Sequence, residues 1–334
     1  MAMKILVLGG TIFLGRHLVE EALARGHCVT TFTRGRHNPD LFPSAQCLHG
    51  DRDGGLRVLE GRQWDAAIDT SGNLPRLVRE AVELLSRSVN HYTLLSTLAV
   101  YEGFPRTAGI DETAAITSVG DPAAETVTVR NVGLLKALCE ATVESAMPGR
   151  ALLVRSGLLV GPYDPTDRFT YWPRRVALGG EVLGPGSPAS PLQFIDARDL
   201  ARWILDSIEQ GRTGIYNTTG PAAPLSMYEF LETCRLETGS NARFRWVDDH
   251  FLLSAGLTPM MDLPLWTAGA AGAARVNCQR AIAAGLAFRP LAETVRDTFA
   301  WDRMRGEALK PRAGLDSQRE RHLLEAWQCA SAHS

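Results

Sequence analysis

The sequence has little of what marks a membrane, secreted or nucleic-acid-binding protein. No apolar run reaches the roughly 18 residues that cross a bilayer, and the opening stretch MKILVLGG is too short for a signal peptide and runs straight into a glycine turn. Lysine and arginine total 35 against 37 aspartates and glutamates, without a basic run. A formal charge of −2 disfavours a surface that binds phosphate backbones. We therefore expect no membrane segment and no nucleic-acid partner.

Closely spaced cysteines are also missing. The six cysteines never form a CxxC pair and stand far apart, at Cys28, Cys47, Cys139, Cys234, Cys278 and Cys329. This pattern indicates free buried thiols in a reducing compartment and disfavours disulfides or a zinc site. The histidines show no metal-ligand spacing. We expect no metal and a cytoplasmic location.

What the chain does have is a regular alternation of short apolar runs with helical stretches. The order is KILVL, a helix at 14–25, CVTTF, AQCLHG, a helical stretch at 53–62, DAAID, a helix at 75–88, HYTLLST, a helix at 131–146 and RALLVRSGLLVG. Strand, helix and strand in succession, with strands apolar throughout, are typical of a parallel sheet covered on both faces. The sequence predicts an α/β fold of the doubly wound, Rossmann type.

The pattern of residue types changes after about residue 160. Proline- and glycine-rich loops there alternate with helices such as 197–209. Such segments predict a smaller substrate lobe at the carboxyl edge of the sheet. The expected division of the chain is a first domain at 1–160, to which 190–220 contributes, a smaller lobe at 161–305 and a charged helical tail at 306–334.

The strongest chemical signal is the glycine turn in KILVLGGTIFLGRHLVEE, which joins a buried strand directly to an amphipathic helix. Backbone N–H groups and the helix dipole in this context hold a pyrophosphate. Gly9 supplies the tight turn, and Gly15 lets the helix pack on the strand. At position 12, between them, a glycine would let the backbone approach the phosphates, and the isoleucine side chain narrows that approach. A turn that binds nothing is the alternative. The predicted dinucleotide loop comprises Gly9, Gly10, Thr11, Ile12, Phe13, Leu14 and Gly15.

Further cofactor contacts are expected at the ends of the next three strands. The second strand ends in TFTRGR and offers Arg34 instead of the carboxylate that binds the ribose hydroxyls of NAD. A guanidinium pairs with a 2′-phosphate, so NADP is favoured over NAD, unless Arg34 is simply a solvated surface residue. Asp51 suits the adenine amino group, and Thr70 and Ser71 end the fourth strand at the same edge.

The segment ETVTVRNVGLLKALCE, at 125–140, reads as a short extended piece followed by a helix that carries Lys136. Residues four apart share one face of a helix, so Val132 stands beside the Lys136 ammonium. Valine neither gives nor takes a proton. The pair is therefore either an ordinary packing contact or a site that lacks a group.

Taken together, VLGGTIFLG, GDRDG, LLSTLAVY, the Lys136 helix, VRSGLLVGPYDPTDRF and FIDARDLA resemble the extended short-chain dehydrogenase/reductase superfamily, in its NAD-dependent epimerase/dehydratase branch, over about 3–305. The resemblance implies that Thr97 binds the substrate carbonyl. It also implies that Lys136 holds the nicotinamide ribose and lowers the pKa of a tyrosine four residues earlier. That tyrosine position is Val132.

The resemblance therefore leaves the proton source open. A positioned acid or base contributes about 10²–10⁴-fold to hydride transfer. Tyr101, Tyr163 and Tyr171 are candidate replacements, and each is equally compatible with simple packing; a desolvated Lys136 is a further candidate. The predicted substrate contacts are Tyr163, Arg168, Tyr171 and Arg198, although Arg168 also suits a solvated loop and Arg198 a structural ion pair.

Three functions follow from the sequence. The first is a redox enzyme that binds NADP or NAD and acts on a small polar metabolite with a relocated acid. The second is a non-redox isomerase, cyclase or lyase whose cofactor is inert or absent. The third is RNA binding, because chloroplast stem-loop RNA-binding proteins share the GGTxFLG turn, but the near-neutral charge weighs against it. A homodimer through helices 75–88 and 131–146 is compatible with their apolar positions.

Overall fold

The computed structural model describes residues 1–306 and 311–331 and divides them among twelve strands and ten helices. The strands are β1 (Lys4–Leu8), β2 (Cys28–Thr33), β3 (Gln46–His49), β4 (Ala66–Asp69), β5 (His91–Thr97), β6 (Ala151–Ser156), β7 (Leu159–Val160), β8 (Glu181–Pro185), β9 (Pro191–Asp196), β10 (Gly214–Thr218), β11 (Gly220–Ser226) and β12 (Arg243–Val247). The helices are α1 (Phe13–Ala24), α2 (Pro75–Leu85), α3 (Val132–Ala146), α4 (Tyr171–Ala177), α5 (Ala197–Glu209), α6 (Met227–Thr238), α7 (Asp249–Ser254), α8 (Gln279–Ala283), α9 (Leu291–Met304) and α10 (Ser317–Ser331).

The main sheet has seven parallel strands in the order β10-β6-β5-β4-β1-β2-β3. Apolar side chains of alternate strand positions enter two cores, one under α1 and α5 and one under α2 and α3. This arrangement confirms the doubly wound fold. The order reverses between β1 and β4, and the carboxyl ends of these strands border the crevice in which such folds bind ligands.

The second half of the chain builds a lobe with a core of its own. The two-stranded sheet β8-β12 and the three-stranded sheet β7-β9-β11 pack with α4, α6 and α9 around Phe169, Trp172 and Phe230. Within the 190–220 segment, β10 lies in the main sheet, whereas β9 joins the small one. The exact domain bounds stay a prediction.

The tail predicted at 306–334 contains α10, whose Leu324 belongs to the core of the lobe. Residues 307–310 and 332–334 of that prediction lie outside the described residues. Glu320 is buried and accepts hydrogen bonds from Arg175 and from the N–H of Leu183. A charged side chain therefore fastens this helix to the lobe.

Two local predictions differ from the structure. The helical stretch expected at 53–62 is a single 3₁₀ turn, Leu56–Leu59. The extended piece expected before α3 is a turn, in which the Asn131 side chain accepts a hydrogen bond from the Thr128 N–H at 2.7 Å. The segment is exposed, and no strand in the described part of the chain pairs with it.

The apolar residues of α2 bear on the homodimer prediction. Val78, Val82 and Leu85 are fully buried within the subunit, so they serve its own core and are not available to a partner. The homodimer stays a prediction, but these three residues do not contribute to its interface. Within 1–306 and 311–331, no helix combines the length and apolar character that crossing a bilayer requires.

Candidate functional site

The glycine turn between β1 and α1 is shaped by close contacts that leave no room for side chains. Gly9 has a φ of +95°, and a Cβ there would lie 2.7 Å from the Thr70 hydroxyl. A Cβ on Gly15 would lie 2.0 Å from the Gly9 carbonyl oxygen, so the helix sits directly against the turn. These glycines form a cradle at a helix N-terminus, which is the geometry that binds a phosphate.

The first turn of α1 has no acidic residue, and no side chain caps it in the described part of the protein. Its leading N–H groups therefore suit an anionic ligand. Ile12 is 44% exposed at the entrance, and Phe13 adopts a φ of +41°, which is strained for a residue with a side chain. Ile12 narrows the mouth of the cradle without closing it.

A groove of about 520 Å³ runs from this turn across the carboxyl ends of β2, β3 and β4. Most of the predicted cofactor residues line it: Gly9, Thr11, Ile12, Phe13, Leu14, Gly15, Arg34, Asp51, Thr70 and Ser71. Gly10 lies beneath the turn, where a Cβ would meet Thr31 and Val19. The groove also reaches Leu95 and Leu159, toward the α3 side of the sheet edge.

The end of the groove beyond β2 is basic. Arg34, Arg36 and His37 are exposed and line it together, with Gly35 between them at a φ of +67°. Of these three residues, only Arg34 was a predicted cofactor contact. The sequence RGRH at 34–37 could have indicated that Arg36 and His37 contribute to the basic end together with Arg34.

Sequence reasoning also missed Arg52, which lines the groove next to Asp51. Its guanidinium donates to both oxygens of Asp69, at 2.6 and 2.5 Å, and the Tyr92 hydroxyl donates to the same carboxylate at 2.8 Å. Burial raises the pKa of Asp69, but Arg52 and the hydrogen bonds from Tyr92 and the Ser71 N–H outweigh it and leave the pKa lowered. An ion pair therefore forms one wall of the groove.

Lys136 lies deep at the edge of the sheet. Its Nζ donates to the carbonyl oxygens of Gly72 at 2.8 Å and Leu95 at 2.7 Å, and the side chain is 7% exposed. Burial lowers the pKa of Lys136, and the nearby Asp69 charge opposes this only in part. These carbonyls accept hydrogen bonds from two of the three N–H groups of the ammonium.

Val132 and Thr97 belong to the elements that surround Lys136. Val132 is the half-buried first residue of α3, and the next residue, Gly133, lies so close that a Cβ would be 2.2 Å from the Ala99 carbonyl oxygen. Thr97 ends β5, and its hydroxyl accepts a hydrogen bond from the Ala99 N–H at 3.2 Å. The first turn of α3 is therefore fixed against the turn that follows Thr97.

Tyr101 does not project into the groove. Its side chain is 1% exposed, its hydroxyl donates to the Asn217 side chain at 2.6 Å, and its ring packs under Arg155 at 4.7 Å. Burial raises the pKa of Tyr101. A hydroxyl engaged with β10 in this way favours the packing interpretation over the role of proton carrier.

Tyr163 and Tyr171 also lie elsewhere. The Tyr163 ring stacks under Arg16 and against Trp301, beside α1. The Tyr171 ring is buried in the lobe against Gly314 of the tail segment. Both rings are engaged in packing contacts, and their predicted role as substrate contacts stays a prediction.

The two predicted substrate arginines have internal partners. Arg198 donates to Asp196 at 2.7 Å and to Asp297 at 2.5 Å. These two ion pairs fix the start of α5. Arg168 donates to the Thr166 hydroxyl at 3.3 Å within its own loop. Throughout the described ranges, no group of three histidine, cysteine or acidic side chains is arranged to hold a metal.

The chain is similar to known proteins over most of its length. The sequence profile of the NAD dependent epimerase/dehydratase family matches residues 5–218. "Epimerase family protein SDR39U1" of Bos taurus is 28% identical over 260 residues, which cover 72% of this chain and 82% of that protein. "Chloroplast stem-loop binding protein of 41 kDa b" of Arabidopsis thaliana is 26% identical over 240 residues, 65% of this chain and 58% of that one.

Among solved structures, the Bordetella bronchiseptica enzyme WbmG in complex with NAD and UDP superimposes with a TM-score of 0.68 at 17% identity, over 92% of this chain and 96% of that one. A likeness at this identity establishes the fold. The family profile covers well over half of the chain. The protein therefore belongs to the NAD-dependent epimerase/dehydratase family.

Proposed function

We propose that this protein binds NADP in the groove and acts on a small metabolite beside Thr97, by a route in which no tyrosine at position 132 moves the proton. The observation that carries the proposal is the glycine cradle at the uncapped N-terminus of α1, which opens into a groove with a basic end. The cradle fits a pyrophosphate because Gly9 and Gly15 let the turn and the start of α1 lie directly against each other, and no side chain caps the leading N–H groups of this helix in the described residues.

The choice of NADP rests on charge. Arg34 and Arg36, with His37, offer several donors to a 2′-phosphate. An NAD site would need an acceptor for the ribose hydroxyls at this end, and the nearest carboxylate along the chain is Asp40, which is not part of the groove lining. WbmG was solved with NAD, so this end is where we expect the present chain to differ from that protein.

A bound nicotinamide supplies hydride chemistry, and the residues around it determine where the proton goes. In our proposal, the Thr97 hydroxyl donates a hydrogen bond to the substrate oxygen. The N–H group of Lys136 that is not bonded to a backbone carbonyl takes part in the proton transfer. The aliphatic Val132 leaves the place between them without an acid. We infer that a water next to Val132, hydrogen-bonded to the Lys136 ammonium, relays the proton; a lowered pKa makes that ammonium a stronger acid than an ordinary lysine.

A non-redox isomerase, cyclase or lyase is the second candidate. It is supported by the same position, because Val132 has no hydroxyl and the Tyr101 hydroxyl is bonded to the Asn217 side chain. RNA binding gains no comparable support. The Arabidopsis protein is named for stem-loop binding, but a chain with a formal charge of −2 lacks the excess of cations that such binding uses.

The cofactor proposal is tested by titration of the purified protein with NADPH and NADH, followed by nicotinamide fluorescence. We expect NADPH to bind at least about tenfold more tightly, because each charge-assisted pair contributes about 1.5–3 kcal/mol. Changing both Arg34 and Arg36 to serine should bring NADPH to the level of NADH. Arg106→Ser, an exposed arginine outside the groove lining, is the matched control. Equal binding of the two cofactors to the unaltered protein would remove the NADP preference.

The proton proposal is tested at position 132. Val132→Tyr places a phenol one helical turn before Lys136, and Val132→Phe adds the same ring without the hydroxyl. With NADPH and a panel of small ketones and aldehydes, we expect the tyrosine variant to gain about 10²–10⁴-fold over the phenylalanine variant. If both variants and the unaltered protein consume no NADPH although they bind it, the non-redox function is favoured.

A further inference from the structure

A buried polar cluster lies next to the two residues that the proposed reaction uses, Thr97 and Lys136. The cluster consists of Ser96 on β5, Glu140 on α3 and Arg155 on β6, and none of the three is more than 4% exposed. The Ser96 hydroxyl donates to Glu140 at 2.5 Å, and Arg155 donates to both carboxylate oxygens of Glu140. Neither the predicted cofactor contacts nor the predicted substrate contacts include a member of this polar cluster.

The polar cluster adds a second bond between α3 and β5, one helical turn beyond the bond that Lys136 makes. Glu140 follows Lys136 by four residues, so both side chains leave the same face of the helix. Their partners on β5 are consecutive residues. Lys136 donates to the Leu95 carbonyl at 2.7 Å, and Glu140 accepts from the Ser96 hydroxyl. Two bonds a turn apart fix both the rotation of α3 and its position along its own axis against β5.

Arg155 connects the polar cluster to the turn that follows Thr97. It is the β6 partner of Ser96 in the sheet register, and its guanidinium lies 4.7 Å from the centre of the Tyr101 ring. The Tyr101 hydroxyl is bonded in turn to the Asn217 side chain on β10. The turn that begins at Thr97 is therefore held at its far end by a residue that is itself bonded to α3.

Stability alone is a weak reason for such a cluster. Taking two charges out of water is costly, and replacing a buried ion pair by well-packed apolar residues of similar volume is often neutral or stabilising. A buried hydrogen-bond network does restrict the elements that carry it to one arrangement, because its bonds have fixed lengths and directions.

We propose that the polar cluster is a positioning device that sets the distance between Thr97 and Lys136. Its members act through these two residues and are not themselves catalytic. The inference rests on the proposed function for the roles of Thr97 and Lys136, and it goes beyond that function by naming what holds them in place.

The experiment replaces the polar cluster without leaving a buried polar group unpaired. The triple variant Ser96→Ala/Glu140→Met/Arg155→Met has apolar side chains of similar size at all three positions. The first readout is the rate at which cyanate carbamylates Lys136, measured by peptide mass spectrometry and divided by the rate for the exposed Lys4 in the same sample. This readout needs no cofactor. Thermal melting of each variant controls for folding.

We expect the triple variant to melt close to the unaltered protein, with Lys136 carbamylated roughly 10- to 150-fold faster relative to Lys4. This range corresponds to the loss of one hydrogen bond to a charged group, about 1.5–3 kcal/mol. Unchanged carbamylation of Lys136 in the folded triple variant overturns the inference and leaves the proposed function intact.

A single variant covers the case in which the triple variant does not fold. Ser96→Ala removes only the bond between β5 and α3 and keeps the ion pair, so we expect Lys136 to become more reactive with little loss of stability. Ser207→Ala is the matched control, because Ser207 on α5 is also buried and its hydroxyl accepts a hydrogen bond from Arg212 at 2.8 Å. Equal Lys136 reactivity in the two serine variants overturns the inference.

The second readout is NADPH turnover in the Val132→Tyr background. A displacement of about 1 Å between reacting groups costs on the order of 10²-fold in rate. We therefore expect the triple variant to lower kcat by about that factor and to leave the affinity for 2′,5′-ADP unchanged, because the adenine half lies at the other end of the groove. An unchanged kcat overturns the inference. If the Val132→Tyr protein does not bind NADPH, the proposed function fails, whereas the carbamylation result still decides whether the polar cluster positions Lys136.

Discussion

Removing the guanidinium of Arg155 should be among the most damaging single changes to this protein. Arg155 on β6 and Glu140 on α3 are 3% and 4% exposed, and the arginine donates to the carboxylate at 2.6 and 3.0 Å. The Ser96 hydroxyl donates to the same carboxylate at 2.5 Å. Arg155→Met leaves Glu140 bonded to this hydroxyl, without the guanidinium that is its bidentate partner, and with the more distant Lys136 as a nearby positive charge.

The magnitude follows from the burial of both partners. Breaking a buried pair by removing one member costs about 3–5 kcal/mol. For 334 residues, an unfolding entropy near 2.1 cal/mol/K per residue gives roughly 0.7 kcal/mol/K, so the melting temperature should fall by about 4–7 °C. Glu140→Gln alone should cost a similar amount, because it leaves the arginine unpaired.

The assay is differential scanning calorimetry of both single variants and of the double variant Glu140→Gln/Arg155→Met. The double variant removes both charges and keeps an acceptor for Ser96, so we expect it to recover most of the lost stability. Arg245→Met is the matched control, because its pair with Glu181 is exposed and contributes about 1 kcal/mol or less. If the double variant loses as much as the two single variants added together, the pair is not coupled and the reasoning is refuted.

Three further predictions concern the turn, a histidine and a helix start. Gly15→Ala should abolish 2′,5′-ADP binding, because its Cβ would lie 2.0 Å from the Gly9 carbonyl; retained affinity in a titration would contradict the cradle. Burial lowers the pKa of His91, so the unfolded chain takes up a proton that the folded one resists. Stability should fall below about pH 6.5 by up to roughly 1.4 kcal/mol per pH unit, and urea titrations of His91→Gln should lose that slope. Ser226→Ala should cost about 1 kcal/mol, because Ser226 caps α6 by accepting from the Glu229 N–H at 3.2 Å; an unchanged urea midpoint would show that the cap is dispensable.

The parts of this molecule that were predictable from sequence are those set by local order. Apolar strands separated by helices predicted the parallel sheet, and the structure confirms it, with β1 to β6 at the places along the chain where strands were expected. The glycine turn was predictable because Gly9 and Gly15 act through contacts within one strand–turn–helix unit. Such features depend on residues a few positions apart, which a sequence displays directly.

The partners of side chains were much harder to predict. Tyr171 was expected over the substrate, yet its ring packs against Gly314, which lies far along the chain in the tail segment. The sequence left two roles open for Arg198, a substrate contact and a structural ion pair. Its ion-pair partner Asp297 lies on α9, far along the chain. No spacing rule connects such residues, because their contact depends on how the lobe folds back on the sheet.

Position 132 combines both kinds of information. Helical spacing alone put Val132 beside Lys136, but it did not say which way that face points. The rotation of α3 is set by two contacts at its start: Gly133 against the Ala99 carbonyl, and Lys136 bonded to the Leu95 carbonyl. Because neither contact involves the side chain at 132, exchanging valine for tyrosine should leave the helix where it is and replace the isopropyl group by a phenol ring. The Val132→Phe variant adds the same ring without the hydroxyl, so any difference between the two variants reports the hydroxyl alone.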